Sequence, residues 1–149
     1  MFSDSGSRLA AVAALEAGLD DSDAEILAGC VMPDHVHLLF TLGPRLRIGQ
    51  IHAKAKMLLR RPLPGPIIWQ EDAFEHRLRP KEESEDYAFY CFMNPYQAGL
   101  VTAESPWPGW WTRHPERLRF LGLARPGRCP QPEWITLLPE VASRIVAGE

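Results

Sequence analysis

The sequence predicts an α+β domain. Three observations carry this. A helix-patterned stretch opens the chain, two apolar strand-length runs follow with Pro33-Asp34 between them, and further helix-patterned stretches come later. A length of 149 residues with 46% hydrophobic content gives one domain with a packed core. Charged residues are 23%, ordinary for a globular chain, which excludes wholesale disorder. No apolar run reaches the roughly 18 residues of a membrane-spanning helix.

The first element is a helix over Ser7–Leu19. Leu9, Val12, Ala13, Leu15 and Leu19 recur at helical spacing, with Ser7 as the N-cap. Asp20 to Asp23 break it. Ala24–Met32 is a mostly apolar strand, Pro33-Asp34 a turn, and His35–Leu42 a second strand antiparallel to the first. A period of two puts Val36, Leu38, Phe40 and Leu42 on a core face and His35, His37, Leu39 and Thr41 on the other. Ile48–Arg61 is a basic helix with Ile51, Ala55, Leu58 and Leu59 as its apolar stripe.

Pro62, Pro64, Gly65 and Pro66 form a stiff linker. Ile67–Trp69 starts an extended segment, and Phe74–Arg79 reads as a third strand closed by Pro80. Glu82–Asn94 is a helix with acidic first turns, where the macrodipole favours them. Pro95 disfavours helical geometry at Asn94, which instead caps a short turn with Gly99 past its end. From Thr102 the chain turns rich in Trp and Pro. Two segments are expected: a domain over 1–104 and an irregular extension over 105–149 packed on it, with no internal repeat.

Charge is unevenly spread. The net −3 combines −6 over residues 1–34, +6 over 45–81 and −3 over 82–149. The basic middle is the one plausible surface for a polyanion, set against the commoner fate of such a cluster, a solvated helix face. Cys30, Cys91 and Cys129 are odd in number, widely spaced and lack a C-x-x-C pair. With no signal-peptide pattern at Met1-Phe2-Ser3-Asp4, they suggest a reduced, cytoplasmic protein with buried thiols.

Two residue pairs could carry chemistry. His35 and His37, at i and i+2 on a strand, point to one side, which is what a divalent cation needs from two imidazoles. The plain alternative is two solvated surface histidines. Tyr90 and Asn94, at i and i+4 on a helix, share a face. They could pair a nucleophile with a third metal ligand. The plain alternative for Tyr90 is a core aromatic with its hydroxyl at the rim. Tyr87 and Tyr96 compete for the role, but only Tyr90 has Asn94 one turn further on.

The ordered set P-D-H-V-H-L-L-F (33–40), W-Q (69–70), F-E-H-R-L-R (74–79) and Y-C-F-M-N-P-Y-Q-A-G-L-V (90–101) resembles the single-tyrosine HUH transposases, specifically the REP-associated tyrosine transposase branch. HUH denotes two histidines around a bulky hydrophobic residue. The resemblance runs from about Ala24 to Trp111. It implies a ferredoxin-like antiparallel sheet with helices on one face. It also implies nicking of single-stranded hairpin DNA with Mg or Mn, leaving a 5′-phosphotyrosine and a free 3′-hydroxyl. Carried over by motif, His35, His37 and Asn94 become metal ligands and Tyr90 the nucleophile. Lys54, Lys56, Arg77 and Arg79 become the DNA-facing cations. Trp69 and Gln70 match without a derived role.

One departure stands out. The family begins with a strand before the first helix, and only six residues precede Ser7 here. The sheet is therefore expected to lack a neighbour beside the histidine strand. Two rivals to a nicking enzyme follow. One is a degenerate or domesticated module that binds hairpin DNA without cutting it. The other is a metal hydrolase unrelated to DNA, for which His52, His76 and His114 lack supporting spacing. A monomer and a homodimer are equally compatible with the sequence, and no membrane partner is expected.

Overall fold

A computed structural model describes residue 2 and residues 4–61 and 84–136. Helix α1 (Ser5–Gly18) leads into strands β1 (Ala24–Val31) and β2 (Val36–Leu42). Helices α2 (Ile48–Arg60) and α3 (Ser84–Gln97), a two-residue strand β3 (Trp110–Trp111) and a short helix α4 (Arg119–Leu123) follow. Two 3₁₀ turns, Pro115–Arg117 and Pro132–Thr136, flank α4. The strands form one antiparallel sheet in the order β2-β1-β3. This is the α+β class expected. The expected strand at Phe74–Arg79 and the extended start at Ile67–Trp69 lie outside the described residues.

Local chemistry explains the element ends. Helix α1 starts two residues before the expected position because Asp4, not Ser7, is the N-cap. The Ser7 backbone N–H donates to Asp4 Oδ1 at 2.7 Å. Helix α3 runs through Pro95 to Gln97 instead of stopping at Asn94. Pro95 sits in the last turn, where its missing N–H removes one i→i−4 bond, the one to the Cys91 carbonyl. Behind it, Leu100 N–H donates to the Pro95 carbonyl at 3.0 Å and Gly99 N–H to that of Tyr96 at 3.1 Å. That pair of bonds is a Schellman closure, and it requires the positive φ of 75° that Gly99 adopts.

Residues in β1 and β2 pair from Ala24↔Leu42 to Val31↔Val36, with a bulge between Ile26 and Ala28. The bulge inserts Leu27 and flips the pleat. Before it, Ala24 and Ile26 face α1 and α2; after it, Ala28 and Cys30 face α3. The core therefore has two halves. Leu15, Ile26, Ile51, Leu58 and the β2 face of Val36, Leu38 and Phe40 pack on one side. Cys30, Phe89, Phe92, Trp110, Phe120 and Trp134 pack on the other. The apolar stripe expected on α2 is its buried side. The helices thus divide between the two faces instead of sharing one, because each face carries its own apolar set.

The Trp-rich extension, expected to be irregular throughout, supplies the third strand. Trp111 pairs with Gly29 and Trp110 with Cys30. A Cβ on Gly29 would lie 1.9 Å from the Trp111 ring, so only glycine lets that ring cross β1. Val31 N–H donates to the Gly109 carbonyl, and Trp107 Nε1–H to the Val31 carbonyl, both at 2.9 Å. Thr112 Oγ1 donates at 2.5 Å to the carbonyl of Leu27, the bulge residue whose ladder bond is lost. Among the described residues, β2 is paired on one side only, and no helix is long and apolar enough to cross a membrane.

Candidate active site

The two histidines sit where β2 leaves the turn. Pro33 and Asp34 form a two-residue loop, closed by Met32 N–H donating to the His35 carbonyl at 2.8 Å. Beyond it, the alternation of β2 turns Val36 into the α1/α2 side and His37 toward α3. The Nε2 atoms of His35 and His37 lie 3.0 Å apart, their rings nearly perpendicular at 83°. On α3, Asn94 Nδ2 lies 3.3 Å from His37 Nε2. The Tyr90 ring, one turn earlier and 53% exposed, stands edge-on to His37 with ring centroids 6.0 Å apart. Four residues singled out in the sequence thus meet in one place.

The hydrogen count at this cluster matters. Asp34 Oδ1 lies 2.7 Å from His35 Nδ1, and this hydrogen bond, then the attraction of the ring's charge, holds the Asp34 carboxyl below the usual carboxylate range. An ionised carboxylate only accepts, so His35 carries its proton on Nδ1 and, when neutral, has a bare Nε2. Burial, and then the like charge of His35, lower the pKa of His37 and favour its neutral form. If Asn94 Nδ2 donates to His37 Nε2, two lone pairs face each other at 3.0 Å. That arrangement calls for a proton or a cation between them.

The donor set fits a divalent ion. Adjacent ligands on an octahedral ion with bonds of about 2.1 Å are roughly 3 Å apart, the spacing of the two Nε2 atoms. The Asn94 amide, turned by half a rotation, offers Oδ1 to the same point. Among the described residues there is no cluster of three His, Cys, Asp or Glu side chains that could hold a metal.

The other candidates are placed differently. The Tyr96 hydroxyl is committed to the Ser105 carbonyl at 2.9 Å, and burial pushes its pKa up to about 12. Tyr87 is half-buried one turn before Tyr90. Lys54 Nζ donates at 2.6 Å to Asp23, a fully buried carboxylate. Lys56 is half-buried on the same helix, which lies across the sheet from the histidines. Arg77, Arg79, Trp69 and Gln70 lie outside the described residues, as does His76. The sequence reading missed Asp34 and Asp23 as polar partners. Asp34 was detectable as an acid next to a paired histidine, whereas Asp23 pairs across 31 positions and leaves no local sign.

An antiparallel sheet with a paired-histidine strand, faced by a helix carrying Tyr and Asn, is the kind of site the sequence motifs led one to expect. The family described as "Transposase IS200 like" matches residues 6–62. A Haemophilus influenzae protein assigned to the REP-associated tyrosine transposases is 28% identical over 103 residues, covering 56% of each chain. A REP-associated tyrosine transposase of Escherichia coli K12 is 28% identical over 95 residues, 59% of this chain and 54% of that one. No solved structure matches significantly. Over residues 6–62 the chain is thus similar to the IS200-like transposase family, and REP-associated tyrosine transposases are among its relatives. It spans a little over half the length of the two relatives it matches.

Proposed function

We propose that the protein is a transposase-like DNA strand transferase that nicks single-stranded hairpin DNA. The observation that carries this reading is the meeting of His35, His37, Asn94 and Tyr90 within one chain. Tyr90 is the nucleophile. Its Oη forms a bond to phosphorus as the bond from phosphorus to the 3′ oxygen breaks. The phenol loses its proton and the 3′ oxygen gains one, leaving a 5′-phosphotyrosine and a 3′-hydroxyl. Exposure of Tyr90 leaves it open to a phosphodiester that buried Tyr96 could not reach.

His35, His37 and Asn94 would hold Mg or Mn, which when bound supplies charge neutralisation at the phosphodiester. His37 contributes a neutral imidazole and Asp34 fixes the His35 ring. Lys54 spends its ammonium on Asp23, and Lys56 shares its helix across the sheet from the histidines, so phosphate binding by the basic middle falls chiefly to Arg77 and Arg79. Three buried free cysteines are in keeping with action in a reducing cytoplasm.

A single-stranded hairpin oligonucleotide with Mn²⁺ should yield a denaturant-stable protein–DNA adduct. Tyr90→Phe should abolish it, and Tyr87→Phe and Tyr96→Phe should keep it. Adduct formation by Tyr90→Phe would remove Tyr90 as the nucleophile. Salt-sensitive hairpin binding with no adduct under either metal would replace the enzyme with a hairpin-binding module.

A further inference from the structure

We propose that Asp34 is a positioning residue. By accepting the Nδ1 proton of His35, it selects the tautomer whose bare Nε2 points at His37, and so sets the affinity of the pair for a divalent cation. The affinity half rests on the proposed function above; the tautomer half stands apart from it.

The geometry carries the argument. Asp34 is the second residue of a two-residue loop whose ends are tied by the Met32–His35 backbone bond, and Pro33 fixes the backbone just before it. That leaves the Asp34 side chain beside the ring of the next residue, with Oδ1 2.7 Å from Nδ1. The far nitrogen of the same ring is the one 3.0 Å from His37 Nε2. A neutral histidine in water carries its proton mainly on Nε2, the wrong atom for this pair. A carboxylate on Nδ1 reverses that preference and makes Nε2 the stronger donor. His35 stands at the strand's end and its side chain is 48% exposed, so packing does little to hold the ring. Asp34 provides the orientation that burial provides for His37.

The test uses the full chain labelled with ¹⁵N at histidine, metal-free and at about pH 8, above the reference imidazole range. Long-range ¹H–¹⁵N spectra should show His35 protonated at Nδ1. Asp34→Ala should move that proton mostly to Nε2, and Asp34→Asn, whose amide oxygen still accepts, should largely retain the wild-type pattern. A Mn²⁺ titration followed by the free-ion electron paramagnetic resonance signal should show Asp34→Ala binding roughly 10–100-fold more weakly. Thermal midpoints of all three proteins should agree, since the Asp34 side chain is 86% exposed. An unchanged His35 tautomer in Asp34→Ala would overturn the proposal, as would Nε2–H in the wild type. If the tautomer switches but the wild type binds no Mn²⁺, the cation reading of the site falls and the tautomer selection by Asp34 stands.

Discussion

Lys54 of α2 donates to the buried carboxylate of Asp23 at 2.6 Å, across the junction between the α1–β1 loop and the second helix. Arg45 adds a weaker contact to the other oxygen at 3.6 Å. The same loop carboxylate receives the Asp20 backbone N–H at 3.5 Å, and the Gly43 N–H donates to the Asp23 carbonyl at 3.0 Å. Asp23 therefore ties α1, β1, the end of β2 and α2 together. One of the two lysines expected to face DNA on this helix is, in the fold, a structural partner.

Removing that partner leaves the buried charge with only the weaker Arg45 and backbone contacts. Lys54→Met should lower the thermal midpoint by roughly 5 °C or more, and Lys56→Met by less than about 2 °C. The effect should depend on pH in a defined direction. The Lys54 hydrogen bond is the largest cause of the depressed Asp23 pKa, opposed by burial. A depressed folded pKa stabilises the fold fully above the unfolded carboxylate range, about pH 4 and up. That stability is lost as pH falls through the lower folded value. The gap between wild type and Lys54→Met should be widest above about pH 5 and close on acidification. A gap that widens in acid would contradict the assignment.

Gly29 predicts a steric result. A Cβ there meets the Trp111 ring at 1.9 Å, and Trp111 is itself buried. Gly29→Ala must displace Trp111 or open β1 from β3, costing about 1–3 kcal/mol as an overpacked core does. Gly49, in α2, has nothing within 4 Å of the same position. Gly49→Ala should be neutral or stabilise by up to about 1 kcal/mol. Urea unfolding of the two variants measures the contrast, and equal effects would place Trp111 elsewhere.

Arg113 predicts how firmly the C-terminal extension is fastened. Its guanidinium donates to the Glu16 carbonyl at 2.7 Å, to the Leu19 carbonyl, and to Glu16 Oε1 at 3.2 Å. It thus caps the C-terminus of α1, which has no basic residue of its own in the last turn. Arg113→Ala should cost about 1–2 kcal/mol. Arg113→Lys should recover little, because one ammonium cannot serve the divergent acceptors of a planar fork. Full recovery by lysine would reduce the contact to simple charge.

These residues mark what was legible in the sequence and what was not. Helices α1, α2 and α3 and strands β1 and β2 follow from apolar periodicity, which local burial enforces. The histidine face follows from the strict alternation of β2, and the Tyr90–Asn94 face from one helical turn. The bulge at Leu27 left no such trace: Ile26 and Ala28 are both even-numbered and apolar, yet face opposite sides. Strand β3 is two residues long, its place set by a missing side chain at Gly29 and not by any pattern of its own. Pro95 pointed to a helix end at Asn94 that came three residues later, because the Gly99 closure compensates for the lost bond.

His35, His37 and Asn94 should behave as one set toward a metal. A ligand that binds only the folded chain raises its stability in proportion to the logarithm of its concentration over Kd. Mn²⁺ should therefore raise the thermal midpoint of the wild type, and EDTA should reverse the rise. His35→Ala and His37→Ala should each abolish the rise, because one imidazole with an amide is too few ligands. Asn94→Ala should keep the histidine pair and weaken binding by about tenfold, a smaller midpoint rise at the same Mn²⁺ concentration. The double variant His35→Ala/His37→Ala should be no worse than either single one, since residues in one site do not contribute independently. Equal Mn²⁺ stabilisation of wild type and both histidine variants would place the metal away from the Nε2 pair. Equal stabilisation of wild type and Asn94→Ala would leave the amide as a partner of Tyr90 and His37 only. The adduct assay should follow the same order, so a variant that binds Mn²⁺ normally yet forms no adduct would separate metal holding from strand cleavage.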